Sequence, residues 1–414
     1  MSPHKIDLPP SAAAFGSYGI SHNGFLPAES PCQCLSDIYY KPWEDIADCL
    51  PELIATLQAR AHIDKLPTLA TTSLLDESEW QRAFLLLSAF AQVYIWAGQK
   101  PIERLPPAIS IPLLAAASHL ELQPVASYAA LNLWNWAPCS EGVDLTQPGN
   151  LRALITFTGT EDESWFFIVS NAMEARAAPV ITAMLAALKA IDDEDSEVVI
   201  ESLSFLSQSL LEIASLLERM DERCDPQVFY HRIRPFLAGS LNDHLPKGVF
   251  YDEGNGNGAW RKYRGGSNGQ SSLIQFFDAI LGVVHEKTIV FHEEMRTYMP
   301  GPHAKFIRDM IATSQLRRYV EANRENTQLF EAYNDAVASL SAFRDKHIQL
   351  VTRYIIVPSR TPNSFAKMKD VDLAAKLTRT TNNAKQELIG TGGTTLVPFL
   401  QQSRDETKAA AVAA

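Results

Sequence analysis

The stretch LFEAYNDAVASLSAFRDKHIQLVTRY, residues 329–354, decides the fold. Leu329, Tyr333, Ala336, Leu340, Phe343, His347, Leu350 and Tyr354 recur at steps of four and three, which places them in one stripe along an α-helix. Pro358 marks the end of that pattern, because proline disfavours helical geometry in the residue before it. His347 breaks the chemistry of the stripe without breaking its spacing. Burying an unpaired imidazole costs free energy, so a partner or a metal should meet it. On spacing alone the ordinary reading is a satisfied structural histidine, and the sharper one is metal ligation by a neutral imidazole. No HExxH, His-x-His pair or neighbouring Cys/Asp set offers a second protein ligand. A lone histidine in an apolar helical surround therefore suits haem, whose porphyrin supplies the other four donors. Arg344 lies three residues earlier, on an adjoining part of the same face. It reads either as a solvated helix-edge arginine or as the partner of a haem propionate.

Working outward, Val199, Leu203, Leu206, Leu210, Ile213, Leu217 and Met220 form a second stripe of the same period, predicting a second helix of about 25 residues. Residues 43–136 are helical in pattern but cut by Pro67, Pro101, Pro106, Pro107, Pro112 and Pro124. The first ~30 residues, rich in Pro, Ser, Ala and Gly, are expected to lie over the surface or fray. Residues 254–269 carry too much Gly and Asn for regular structure, and strand signals are sparse. The expected fold is mainly α: a small N-terminal helical domain with its connecting segment over residues 1–157, packed on a larger all-helical haem-binding domain over 158–414.

With 414 residues and 46% hydrophobic content, the chain can bury a sizeable core. Its net charge of −12 argues against nucleic-acid binding, which depends on clustered cations. No uninterrupted apolar run reaches the ~18 residues that a bilayer requires, and the N-terminus has no apolar signal-peptide core. Membrane association and secretion are therefore not expected. Five scattered cysteines, Cys32, Cys34, Cys49, Cys139 and Cys224, make neither a disulfide framework nor a zinc site, which points to the reducing cytoplasm.

Three further segments carry candidate chemistry. Phe166, Ser170 and Met173 share a helical face by spacing; packing explains the apolar pair, while Ser170 could reach a ligand. In VFYHRIRPFLAGS (228–240) aromatic Phe229 and Tyr230 precede Arg234. That is either a surface basic cluster or an aromatic wall with a fixed cation for a substrate carboxylate. Gly254-x-Gly256-x-Gly258 lacks a strand-to-helix setting, so a dinucleotide site is not expected there. The run Gly390-Thr391-Gly392-Gly393-Thr394 lacks the P-loop ending and reads as a plain loop or as a lid over ligand.

Together these segments resemble one family, the indoleamine 2,3-dioxygenases. The matching strings, in family order, are WFFIVS (165–170), FYHRIRPFLAG (229–239), GGSNGQSS (265–272), FDAILG (277–282), MRTYMPGPH (295–303), FRDKHIQLVTRYIIVP (343–358) and GTGGTTL (390–396). The N-terminal third matches best at YAALNLWNW (128–136). The resemblance implies haem b, one per chain, with His347 as proximal iron ligand, Arg344 on the haem side of that helix, and Gly239 in close backbone approach to the haem. It implies a substrate site built from Tyr128, Phe166, Ser170, Phe229, Arg234 and Thr391, with no residue acting as acid or base. Glu294 stands where the family often has Asp, Tyr230 where a Phe is familiar, and Ala238 where a small polar residue is familiar. The implied reaction inserts O2 across the indole C2–C3 bond of L-tryptophan to give N-formylkynurenine, the first step of the kynurenine pathway toward NAD. The implied partners are L-tryptophan, O2 and an electron donor that keeps the haem ferrous, and the expected state is a cytoplasmic monomer. The alternative class is a non-catalytic helical protein, either a haem-binding sensor or an interaction scaffold. A scaffold has no use for His347, and a sensor has none for Arg234.

Overall fold

Prolines and acidic caps cut the N-terminal third into short helices: α1 (Lys41–Asp48), α2 (Leu50–Ala55), α3 (Ala59–Ile63), α4 (Glu77–Trp96) and α5 (Pro107–His119). The first, second and fifth carry proline in the first turn, where its missing N–H has no intrahelical partner to lose. Asp76 caps α4 by accepting from the Glu79 amide, one of the donors a helix start leaves open. The computed structural model describes residues 16–98, 100–361, 379–382 and 385–413.

Three long helices form the body. Helix α6 (Glu161–Asp192) starts on a Thr160 cap with Glu161, Asp162 and Glu163 in its first turn, which complements the helix dipole. Helix α7 (Ser196–Glu218) buries Val199, Leu203, Leu206, Leu210, Ile213 and Leu217, and Met220 is buried just beyond its end. The shorter helices α8 (Ser272–Leu281), α9 (Ile289–Arg296), α10 (Gly301–Thr313) and α11 (Leu316–Ala322) lead to α12 (Thr327–Val351). Leu329, Tyr333, Ala336, Leu340 and Phe343 of α12 are all buried, and α7 packs against both α6 and α12. Each large apolar side chain so buried contributes about 1.5–3 kcal/mol. The last helix, α13 (Leu396–Lys408), packs back onto α12. The protein is 60% helical, and the fold is mainly α. The helical segment Ser196–Glu222 is apolar and long enough to cross a membrane by length and composition, but its stripe faces α6 and α12.

Short strands pin the connections. Strand β1 (Arg104–Leu105) pairs in parallel with β4 (Val249–Gly254), which pairs antiparallel with β5 (Asn257–Arg261). Strands β2 (Trp136–Pro138) and β3 (Leu151–Ala153) form a second ladder, and β6 (Arg379–Asn382) with β7 (Lys385–Leu388) a third. The β4–β5 hairpin corrects the expectation of no regular structure over 254–269. Gly254, Asn255 and Gly256 all take positive φ, so the Gly and Asn content makes a tight turn between strands. The expectation of a superficial N-terminus also fails where it can be described. Ile20, Phe25 and Leu26 are buried, and Phe25 packs edge-on against Phe306 of α10. Residues 1–15 lie outside the described residues.

Three helical segments change to π-helical turns: Ala129–Leu133, Phe229–Ile233 and Thr352–Ile356. The third carries the helix beyond Val351 to the Pro358 boundary. Such turns bond i to i+5 and release carbonyls that need other donors. Side-chain amides supply them at the first turn. Asn135 Nδ2 donates to the Leu131 carbonyl at 3.2 Å and Asn171 Nδ2 to the Asn132 carbonyl at 2.8 Å.

Candidate functional site

The three π-helical turns surround a cavity between α6, α12 and α13. It has two adjoining lobes with about 1110 and 1000 Å³ of empty space, partly open to solvent. Tyr128, Phe166 and His347 line both lobes. Phe229, Arg234 and Thr391 line the first; Ser170, Met173 and Arg344 line the second. Most of the predicted residues, distant in sequence, thus meet at one cavity.

His347 projects from α12 into this space, and among the described residues no hydrogen-bond donor or acceptor meets its ring. Burial, with a smaller contribution from the Arg344 charge, lowers its pKa to about 4. The imidazole is therefore neutral, the form that ligates metals. An unpartnered neutral imidazole facing Phe166, Met220, Leu350 and Leu400 fits a flat apolar macrocycle that brings its own iron. The donor set fits no other metal: among the described residues, no group of three His, Cys, Asp or Glu could hold an ion.

The aromatic wall forms as the sequence suggests. Phe229 packs on Phe166 with ring centroids 4.7 Å apart and meets Tyr354 edge-on at 5.7 Å. Residues five apart on an α-helix point about 140° away from each other. The π-helical turn at Phe229–Ile233 brings i and i+5 together, and so sets Phe229 and Arg234 on the same lobe. Arg234 is only 2% exposed, and burial lowers its pKa to about 10 against the opposing effect of Tyr230. It stays a cation at neutral pH. Its Nη2 donates to the Ile389 carbonyl at 2.7 Å.

That contact belongs to a closed loop. Thr391 Oγ1 donates to the Gly266 carbonyl at 2.7 Å, and the Gly265 amide donates to the Thr391 carbonyl at 3.1 Å. Arg264 Nη1 reaches the Gly392 carbonyl at 2.6 Å, while its Nη2 pairs with Glu294 at 2.8 Å. The 390–395 segment therefore covers the first lobe, and Glu294 acts through Arg264 on that cover.

Arg344 lines the second lobe but commits its charge elsewhere, and Gly239 is not among the lining residues. Arg344 does not offer its charge to the cavity. It donates to both Asp278 oxygens at 2.8 and 2.7 Å, to the Ser403 carbonyl at 2.8 Å, and to Thr407 Oγ1. The physical reason is that a guanidinium buried between helices needs its counter-ion there, and α8 provides Asp278. Gly239 does not line the cavity. It lies back-to-back with Gly265, where a Cβ on Gly239 would fall 2.2 Å from the Gly265 nitrogen. The same crossing constrains Gly265, whose Cβ would fall 2.1 Å from the Leu237 carbonyl oxygen. We expect Gly265→Ala to destabilise the protein by about 1–3 kcal/mol through overpacking and to loosen Thr391 along with it. A thermal melt matching wild type would contradict this.

Sequence reading missed two lining groups. Glu174 lies one helical turn beyond Ser170, and its Oε1 accepts from Tyr128 Oη at 2.9 Å and Ser271 Oγ at 3.0 Å. Burial, opposed by those two hydrogen bonds, raises its pKa to about 7. Extending the 166–170–173 face by one residue would have found it. Asn132 lines the first lobe beside Leu131 and Phe167, and its helical signal hides inside an apolar string.

Comparison with known proteins agrees with this geometry. The family model "Indoleamine 2,3-dioxygenase" matches residues 14–410. The chain is 39% identical to an indoleamine 2,3-dioxygenase of Aspergillus nanangensis, over 98% of each chain. It is 39% identical to that of Saccharomyces cerevisiae over 94% of this chain and 92% of the other. It is 36% identical to a 6-hydroxytryptophan 2,3-dioxygenase of Fusarium equiseti over 92% of this chain and 94% of the other.

Proposed function

The chain belongs to the indoleamine 2,3-dioxygenase family, a family of haem-dependent dioxygenases, and on that premise we propose that it converts L-tryptophan and O2 to N-formylkynurenine. Both oxygen atoms enter the product as the indole C2–C3 bond opens, so the reaction itself consumes no external electrons. Haem b, one per chain, supplies dioxygen binding and activation when bound. His347 would hold its iron on one side, and the wall of Phe166 and Phe229 would face the substrate ring.

The remaining work falls to the chain's own residues. Arg234 binds the amino-acid carboxylate with a charge-assisted hydrogen bond. The loop at Thr391 closes the first lobe and keeps water from the reacting atoms. Among the described residues, none lining that lobe is an Asp or Glu, which supports a reaction without a side-chain acid or base. Fixing the substrate at its carboxylate and its ring lowers the barrier by positioning. An electron donor keeps the iron ferrous between turnovers. The physiological setting we propose is a cytoplasmic monomer feeding the kynurenine pathway and NAD synthesis.

The observation that carries this reading is the pairing of an unpartnered His347 with a buried Arg234 on one cavity. A sensor or scaffold has no use for that cation. The test is a Soret band on the purified protein, followed by tryptophan turnover under ¹⁸O2. Two labelled oxygens in the product are expected; a haem protein that leaves tryptophan unchanged would return the sensor reading.

Arg234→Ala should raise KM for tryptophan about 10- to 150-fold, equivalent to the roughly 1.5–3 kcal/mol of a hydrogen bond to a charged group. Indole substrates lacking the carboxylate should hardly notice the change. An equal loss for both would make Arg234 a structural residue only.

A further inference from the structure

The loop at 390–394, which covers the first lobe, carries no charged side chain. What holds it down comes from the residues beneath it. Besides the contacts of Thr391, the Gly392 carbonyl accepts from Arg264 Nη1 at 2.6 Å. Arg264 stands on a fixed platform. Its amide donates to Tyr298 Oη at 2.9 Å, and the next residue, Gly265, crosses Gly239 back-to-back. A Cβ on Gly393 would fall 2.9 Å from Arg264 Nη1, so that glycine leaves room for the cation to approach.

The Arg264 side chain is 17% exposed, and its guanidinium lies 5.2 Å from the centre of the Phe291 ring. A cation so placed needs a counter-ion to stay aimed. Glu294 of α9 supplies it, pairing with Nη2 at 2.8 Å. A planar guanidinium spans two acceptors in fixed directions, which an ammonium on a flexible stem does not. Here it bridges Glu294 and Gly392 and leaves Nε buried without a partner among the described residues. A donor left unpaired in that way marks a side chain placed for its two outer contacts. Neither Arg264 nor Glu294 lines either lobe, so the pair acts on the site from outside it.

We propose that Arg264 is a positioning residue which, held by Glu294, latches the 390–394 loop over the first lobe and so sets how tightly substrate is retained. This rests on the dioxygenase reading above and adds the pair that governs access to its site. Loosening the latch lowers the fraction of molecules whose lobe is covered, and apparent affinity falls by that fraction. At saturation the bound substrate favours the covered state again. The effect therefore falls on KM more than on kcat.

The experiment measures amide hydrogen exchange, Soret spectra and tryptophan kinetics on haem-loaded wild type, Arg264→Gln, Arg264→Lys, Glu294→Gln and the double variant Arg264→Gln/Glu294→Gln. Arg264→Gln should raise KM about 10-fold, the size of a lost hydrogen bond to a charged group. The Gly265 amide, which donates to the Thr391 carbonyl, reports the loop directly. Its exchange should quicken by a similar factor, while α12 amides and the Soret band stay as in wild type. Arg264→Lys and Glu294→Gln should each fall between wild type and Arg264→Gln, and they keep the test decisive should the glutamine variant at 264 fold poorly. The double variant should be no worse than Arg264→Gln alone, because Glu294 works through Arg264. Additive losses in the double variant would overturn the proposal while leaving the dioxygenase reading intact. So would equal Gly265 exchange in all the proteins, or a fall in haem content and kcat that matches the change in KM. No turnover of tryptophan by the wild type would instead overturn the reading beneath it, and Gly265 exchange would still decide the latch.

Discussion

His347→Ala is expected to yield a folded protein that purifies without haem and has no dioxygenase activity. The two halves of that outcome have separate causes. Folding should survive because the imidazole lines an existing cavity and has no hydrogen bond among the described residues to lose. Removing a half-buried, unpartnered polar ring from a cavity wall costs little, so the thermal midpoint of the haem-free protein should shift by only a few degrees. Haem binding should fail because His347 alone presents an imidazole from α12: the other histidine on the lining, His292, stands on α9 stacked on His285 at 4.2 Å, and the remaining groups are apolar, amide, hydroxyl or already paired. Added imidazole should restore part of the Soret band by filling the gap with the missing ligand. Full haem occupancy and an unchanged ferrous spectrum in the variant would remove His347 from the iron.

Asp278→Ala is the second large effect, and it falls on stability. The carboxylate pairs with Arg344 and accepts from His285 Nε2 at 3.0 Å, while His285 Nδ1 meets Glu406 of α13 at 2.8 Å. Deleting one partner of a buried ion pair leaves the other charge uncompensated, at a cost of about 3–5 kcal/mol. That is a large share of the roughly 5–15 kcal/mol that separates folded from unfolded states. The double variant Asp278→Ala/Arg344→Met should recover much of the loss by removing the stranded charge.

This cluster also sets a pH window. Burial alone would raise the Asp278 pKa, but Arg344 and His285 outweigh it and lower it from 3.8 to about 2. Its contribution is complete above pH 3.8 and fades as pH falls through 2. Burial alone would lower the His285 pKa, but Asp278 and Glu406 outweigh it and raise it above 6.5. That contribution is complete below pH 6.5 and fades as pH rises through the elevated value. His292, stacked on His285 at 4.2 Å, is held down to about 3 by burial and by the His285 charge, so it is neutral from about pH 4 upward. Wild-type melting temperature should therefore be highest between about pH 4 and 6.5, and the alkaline decline should flatten in Asp278→Ala. A pH profile of the same shape in both proteins would dissociate the cluster from stability.

Much of this was legible in the sequence, for a physical reason. Apolar periodicity is a local signal, and every apolar member of the Val199–Met220 stripe is buried. His347 stood out because a polar residue in such a stripe needs an explanation, and family strings gathered the remote lining residues. What local spacing cannot carry is the identity of a tertiary partner. Arg344 finds its counter-ion at Asp278, on another helix, and nothing in the stripe points there. Gly239 was read as a surface for haem when its neighbour is another glycine of the backbone. Asn132 and the hairpin at Gly254–Asn257 were hidden by composition, the first inside an apolar run and the second inside a glycine-rich one.

The three π-helical turns make the site a matter of angular phase. Each turn holds one residue more than an α-helical path would need, and one residue corresponds to about 100° of helical rotation. Deleting a single residue between Phe229 and Ile233 would let the segment relax to an α-helix, with every backbone hydrogen bond regained. Phe229 and Arg234 would then stand four apart, about 40° in phase and still on one face, whereas relaxing the turn at full length would set them about 140° apart, out of the lobe they share. Local regularity and the assembled cavity are thus opposed at these positions. At this chain length the walls stay aligned only while these turns remain π-helical.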